Sequence, residues 1–194
     1  SGANYSLVDI DGDGKPDLVD CENQATNSVW INGNPYWKVY KGTGTSFNST
    51  AENWVIPVME NSGSELTSIS GAGYSLVDIN GDGRPDLVDS ENQATGSVWV
   101  NGNPYWKVYL NNGTSFSTTA QNWTIPVMEN SGAQLTSVSG TYYSLIDING
   151  DGNPDLVDAQ NQATNSVWVS GNPYWKVYLN NGTSFSGTAQ NWTI

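Results

Sequence analysis

A unit of 69 residues recurs along this chain, and that period constrains the fold more than any other feature of the sequence. Tyr5-Ser-Leu-Val-Asp-Ile returns as Tyr74-Ser-Leu-Val-Asp-Ile and again as Tyr143-Ser-Leu-Ile-Asp-Ile, each time 69 positions on. The segments 70–125 and 139–194 are identical at 47 of 56 positions, so they are copies rather than analogues. The organisation is three tandem units, 1–69, 70–138 and 139–194, with connectors at 57–69 and 126–138. A chain built in this way stacks one supersecondary module against the next, because each module buries its apolar face only on a neighbour.

Inside a unit the local signals are all of one kind. Short runs of Val, Ile, Leu, Tyr and Trp are bounded by Gly, Asn, Pro and Ser clusters, and no apolar pattern of helical period extends over ten residues. In the second unit the pattern predicts strands at 74–79, 86–90, 105–111 and 120–125, with a short extra ribbon at 97–101, and Asn111-Asn112-Gly113 turning the third strand towards the fourth. The fold class is therefore all-β, and four antiparallel strands repeated in tandem describe a β-propeller blade. The common blade has about 40–50 residues, so the surplus here belongs to loops.

Composition removes several functions. With 19 acids against 6 bases the net charge is −13, which opposes binding to nucleic acid phosphates or to an anionic membrane face. No apolar run approaches the roughly 20 residues that cross a bilayer, so membrane insertion is not expected. There is no histidine, which excludes Ser-His-Asp and Cys-His catalysis and the usual zinc sites. Cys21 is the single cysteine, and its counterparts are Ser90 and Ala159, so the thiol reads as replaceable.

All 13 aspartates lie in one repeated loop or three residues beyond it, at Asp20, Asp89 and Asp158. The loop reads Asp9-Ile-Asp11-Gly-Asp13-Gly-Lys15-Pro-Asp17, then Asp78-Ile-Asn80-Gly-Asp82-Gly-Arg84-Pro-Asp86, then Asp147-Ile-Asn149-Gly-Asp151-Gly-Asn153-Pro-Asp155. Oxygen side chains at positions 1, 3, 5 and 9, with the backbone carbonyl of position 7 (Lys15, Arg84, Asn153) as a further donor, form the spacing that wraps a hard cation. Glycines supply the tight turns between them. Ca²⁺ is the expected ion, one per repeat, since Mg²⁺ prefers a smaller hydrated shell and softer metals want nitrogen or sulfur. An EF-hand is excluded by the β-type flanks and by Pro16, Pro85 and Pro154 within the loop.

On these residues the sequence resembles the FG-GAP or VCBS repeats of integrin-α-like propellers, whose hallmark is this Asp-x-Asp-Gly-Asp-Gly-x-x-Asp loop between the first two strands of a blade. The run Trp-Lys-Val-Tyr-Leu-Asn-Asn-Gly-Thr-Ser-Phe at 106–116 is similar to the third strand and following turn of many bacterial members. The resemblance implies calcium binding by the loop side chains and a propeller fold. It does not fix function, because such blades serve as lectins, adhesion modules, lyase scaffolds and toxin-complex shells.

In an up-and-down blade the calcium loops emerge on one face, and the excursion at 92–104 and the connector at 126–138 emerge on the other. The excursion carries aromatics beside amides in every unit: Trp30, Asn32, Asn34 and Tyr36; Trp99, Asn101, Asn103 and Tyr105; Trp168, Asn172 and Tyr174. A flat ring packs on the C–H face of a pyranose while planar amides pair with vicinal hydroxyls, so these are the expected ligand-binding residues and glycans the expected partners. Neutral or N-acetylated sugars suit a rim without recurring arginine. The competing reading packs Trp30, Trp99 and Trp168 against neighbouring blades; the other six tryptophans, on strands, read as core.

An enzyme is not expected, since the six glutamates recur incompletely and near-identical units offer one weak site several times over, the logic of avidity. A structural or protein-adhesion propeller segment of a secreted surface protein or toxin complex is the alternative to the lectin. Either use places the chain outside the cell or on its surface, with any export signal removed. Three blades are fewer than the roughly 4–8 of closed propellers, which leaves a six-bladed ring of two chains, a part cut from a longer array, or an unusually small closed assembly; self-association into a homodimer of six blades is the expectation carried forward.

Overall fold

The computed structural model describes residues 4–21, 35–58, 66–71, 73–90, 104–127, 135, 137–159 and 174–194. These contain twelve strands and no helix, so none that is long and apolar enough to cross a membrane. The strands are β1 Tyr5–Val8, β2 Asp17–Asp20, β3 Tyr36–Tyr40, β4 Glu52–Val55, β5 Tyr74–Val77, β6 Asp86–Asp89, β7 Tyr105–Tyr109, β8 Gln121–Thr124, β9 Tyr143–Ile146, β10 Asp155–Asp158, β11 Tyr174–Tyr178 and β12 Gln190–Thr193. They form three four-stranded sheets in sequence order, β1-β2-β3-β4, β5-β6-β7-β8 and β9-β10-β11-β12. Each is an antiparallel meander, the blade that the repeat predicts.

Register repeats as faithfully as topology. Tyr5 pairs with Asp20, Tyr74 with Asp89 and Tyr143 with Asp158, while Trp37 lies opposite Trp54 and Trp175 opposite Trp192. Strands are shorter than the apolar runs suggest. Ile79 has left β5 and Asn111 has left β7, and Asn111 instead bridges Phe116 across the turn that Gly113 makes at φ +88°. The predicted ribbon at 97–101 lies outside the described residues.

The chain divides into two compact units, one of residues 1–77, 83–89 and 108–121, the other of 78–82, 90–107 and 122–194. In the first, Trp37 and Trp54 are fully buried, and Phe116 meets both rings edge-on, at 6.1 Å and 88° and at 5.6 Å and 76°. In the second, Phe185 meets the buried Trp106 and Trp123 at 6.2 Å and 88° and at 5.6 Å and 75°. These T-shaped contacts set the positive edge of one ring against the negative face of another. Of the six strand tryptophans read as core, these four are buried while Trp175 and Trp192 are only half-buried; the Trp37 and Trp106 indoles donate to the carbonyls of Leu66 and Leu135, both at 2.8 Å. Cys21 is also fully buried, and desolvation pushes its thiol up to about 12, so it is chemically quiet.

A buried amide joins each core to the aspartate-rich loops. Asn111 Nδ2 donates to the carbonyls of Ile10 at 2.6 Å and Pro85 at 2.9 Å, while its Oδ1 accepts from Gly113 N. Asn180 repeats the arrangement with Ile79, Pro154 and Gly182. The first repeat has Gly42 here, where any side chain would run into the Pro16 carbonyl. Asn111→Ala leaves three backbone groups without that partner, one buried and two part-buried, so we expect a loss of roughly 2–3 kcal/mol in urea unfolding. A change under about 0.5 kcal/mol would mean that water replaces the amide.

Candidate metal centres in the first loop of each blade

Each loop begins with an aspartate that folds the chain back on itself. Asp9 Oδ1 accepts from Gly12 N at 2.9 Å and Asp13 N at 3.0 Å, and its Oδ2 accepts from Gly14 N at 2.8 Å. Gly12 and Gly14 hold φ of +79° and +85°, which residues with a Cβ rarely adopt. Asp147 does the same for Gly150, Asp151 and Gly152. In the second loop Asp82 N donates to Asp78 Oδ1 and to Asn80 Oδ1. The turn geometry that the spacing predicts is therefore present, closed by hydrogen bonds within each loop.

The last aspartate ties the loop to the sheet. Asp17, Asp86 and Asp155 open β2, β6 and β10 and are fully buried. Their Oδ1 atoms accept from the backbone amides of Gly42, Asn111 and Asn180 at 2.7, 2.8 and 2.8 Å, so the loop is pinned at the same point in each repeat. Burial pushes the Asp17 carboxyl above its ordinary value against the Gly42 amide and the Lys41 charge. The Asp155 carboxyl is raised for the same first reason, and Asp151 and Asp147 add repulsion. Desolvated carboxylates beside other carboxylates are relieved by a cation.

The first loop meets that test most clearly. Asp9, Asp11 and Asp17 each present a carboxylate oxygen, and the three lie within 4.8 Å of one another. This hard, all-oxygen donor set fits Ca²⁺. Asp13 stands apart from the cluster: its carboxylate turns to Lys15 Nζ at 2.7 Å, which holds it below the usual range and raises the lysine. Asp151 likewise turns to the Asn153 backbone amide, which lowers its pKa, and also accepts from the Asn149 and Asn153 side chains. The position-5 carboxylates are exposed and engaged with their own loop, as is that of Asp82 with Asn80 at 3.1 Å.

Of the expected ligand-binding set, Trp30, Asn32, Asn34, Trp99, Asn101, Asn103, Trp168 and Asn172 lie outside the described residues. Tyr36 opens β3 and is half-buried, while Tyr105 and Tyr174 are only 8% and 7% exposed, because they open strands whose alternation turns the ring into the sheet packing. One residue escaped the sequence reading. Lys41, directly after β3, places its ammonium 2.7 Å from Asp11 Oδ2 and 3.9 Å from Asp17 Oδ2. The signal was available in the repeat itself, since Lys41 answers to Leu110 and Leu179 where Asp11 answers to Asn80 and Asn149.

Comparison with known proteins agrees with this architecture. Residues 9–89 match the FG-GAP-like repeat, a span that opens at the first loop and closes at the end of β6. No curated protein matches the sequence. Among solved structures, a chain of the Photorhabdus luminescens Tc holotoxin pore aligns over 100% of this chain at a TM-score of 0.54 and 17% identity, with 7% of its own length covered. A lectin of Agrocybe aegerita specific for non-reducing terminal N-acetylglucosamine aligns over 98% at a TM-score of 0.48 and 19% identity, with 38% of its length covered. The chain thus spans well under half of either structure, and the likeness to the first is one of fold.

Proposed function

We propose that this chain is a calcium-stabilised propeller module that works by binding, as a multivalent carbohydrate-binding protein outside the cell, and that it performs no catalysis. The observation that carries the reading is the repetition of one positioned loop, with Asp17, Asp86 and Asp155 equally buried and each pinned by the amide of residue 42, 111 or 180. Repeats that hold the same geometry multiply one binding surface, whereas a catalytic site needs unlike groups brought together. Bound Ca²⁺ supplies positive charge to carboxylates that the fold has already desolvated. The glycan assignment rests on the Trp and Asn residues of the three excursions, and the exclusion of acidic sugars on the net charge of −13.

Self-association belongs to the same proposal. Phe47 is 41% exposed where Phe116 and Phe185 are 2% and 5% exposed. Faces that are covered within the chain wherever a neighbouring repeat meets them fit a second copy, as a homodimer of six blades.

The test is a glycan array probed in calcium and in chelator, with wild type and with a variant carrying Trp30→Ala, Trp99→Ala and Trp168→Ala. We expect wild type to retain neutral or N-acetylated glycans, multivalent ones best, and the variant to lose them while keeping its far-UV spectrum and calcium binding. A blank array for a folded wild type would replace the lectin with an adhesion or scaffold role. An unfolded variant would return these tryptophans to the core.

A further inference from the structure

We infer that the three loops do not hold calcium equally: in the first, the chain's own Lys41 ammonium takes the place of the metal charge. This inference rests on the calcium reading of the loops and refines it. Lys41 is 15% exposed, and its Nζ lies 2.7 Å from Asp11 Oδ2 and 3.9 Å from Asp17 Oδ2, both carboxylates of the Asp9, Asp11 and Asp17 cluster. Charge rather than an aligned hydrogen bond holds the ammonium there. The stem is fixed as well, since Nζ sits 4.8 Å from the centroid of the buried Trp54 ring, a cation–π contact that favours the charged form.

The sequence exchanges these charges as a set. Asp11 and Lys41 occur together in the first repeat, while Asn80 with Leu110 and Asn149 with Leu179 occupy the same positions in the others. An added carboxylate at position 3 appears only where an added cation faces it. Position 7 grades the loops further, from Lys15 through Arg84 to the uncharged Asn153. The first loop therefore carries four carboxylates and two cations, and the third carries three carboxylates with no cation at position 7 or 179. A divalent ion entering the first loop must displace or repel Lys41, whereas the third loop attracts it unopposed.

Calorimetric titration of the metal-free chain with Ca²⁺ tests this. Wild type is expected to bind two ions tightly, the first loop being weaker by on the order of tenfold or more. Lys41→Leu, which installs the residue of the other repeats, should bring the tight sites to three. Lys41→Met, which keeps the stem over Trp54, should do the same if the leucine variant folds poorly. Melting in chelator gives a second readout: the substituted chain should melt lower than wild type and recover on adding Ca²⁺, because Asp11 and Asp17 then depend on the metal alone. Three equal sites in wild type, or two tight sites in both variants, would overturn the inference. No binding at all in wild type would overturn the calcium reading itself, and this refinement with it.

Discussion

Phe116→Ala should lower the unfolding free energy by roughly 3–5 kcal/mol, the range for emptying a phenyl-sized volume in a packed core. Phe116 is 2% exposed and is the ring that both Trp37 and Trp54 meet edge-on, so its loss opens a cavity and removes two aromatic contacts together. Phe185 stands in the same relation to Trp106 and Trp123, and Phe185→Ala should cost a similar amount. Phe47 provides the internal control, being the same residue of the first repeat left 41% exposed. Phe47→Ala should change stability by under about 0.5 kcal/mol, as surface substitutions do, and should weaken self-association measured by light scattering across a concentration series. Urea unfolding of the three variants decides the matter. Equal losses in all three would show that the ring acts within its own sheet and not on the tryptophans of another repeat.

The blade was legible because its signals are local. Alternating apolar residues, Gly and Asn at the turns and a strict 69-residue period fix four strands per unit before any tertiary contact is considered. The errors in extent also have local causes. Ile79 reads as strand by its apolar character, but its carbonyl accepts the Asn180 amide instead of extending β5. Phe116 reads as the end of a turn, since nothing nearby in sequence announces that it packs on Trp37 and Trp54, which lie more than sixty positions earlier.

The candidate metal loops were legible in their residue types but not in their arrangement. Spacing alone gives four equivalent side chains, whereas the fold brings Asp9, Asp11 and Asp17 together and leaves Asp13 on Lys15. The reason is reach: position 9 is anchored in β2 by the Gly42 amide, while position 5 lies at the exposed tip of the turn, next to the residue at position 7. Lys41 was hidden because it follows β3 rather than belonging to the loop, and only comparison of the repeats with one another exposes it.

Removing calcium should be the largest perturbation this fold can suffer short of mutation. A ligand that binds only the folded chain at a thousandfold excess over its dissociation constant contributes about 4 kcal/mol per site. For a chain of this size that corresponds to a shift in melting temperature on the order of 10 °C for each occupied loop. Buried Asp155 sharpens the effect, because its neighbours Asp147 and Asp151 repel it and no lysine or arginine occupies position 153 or 179. Scanning calorimetry of verified calcium-loaded protein, then of the same sample in excess chelator, is the direct test. A fall on the order of 10 °C or more is expected, reversed by Ca²⁺ and far less by Mg²⁺; superimposable melting curves before and after chelation would show that calcium does not stabilise the fold.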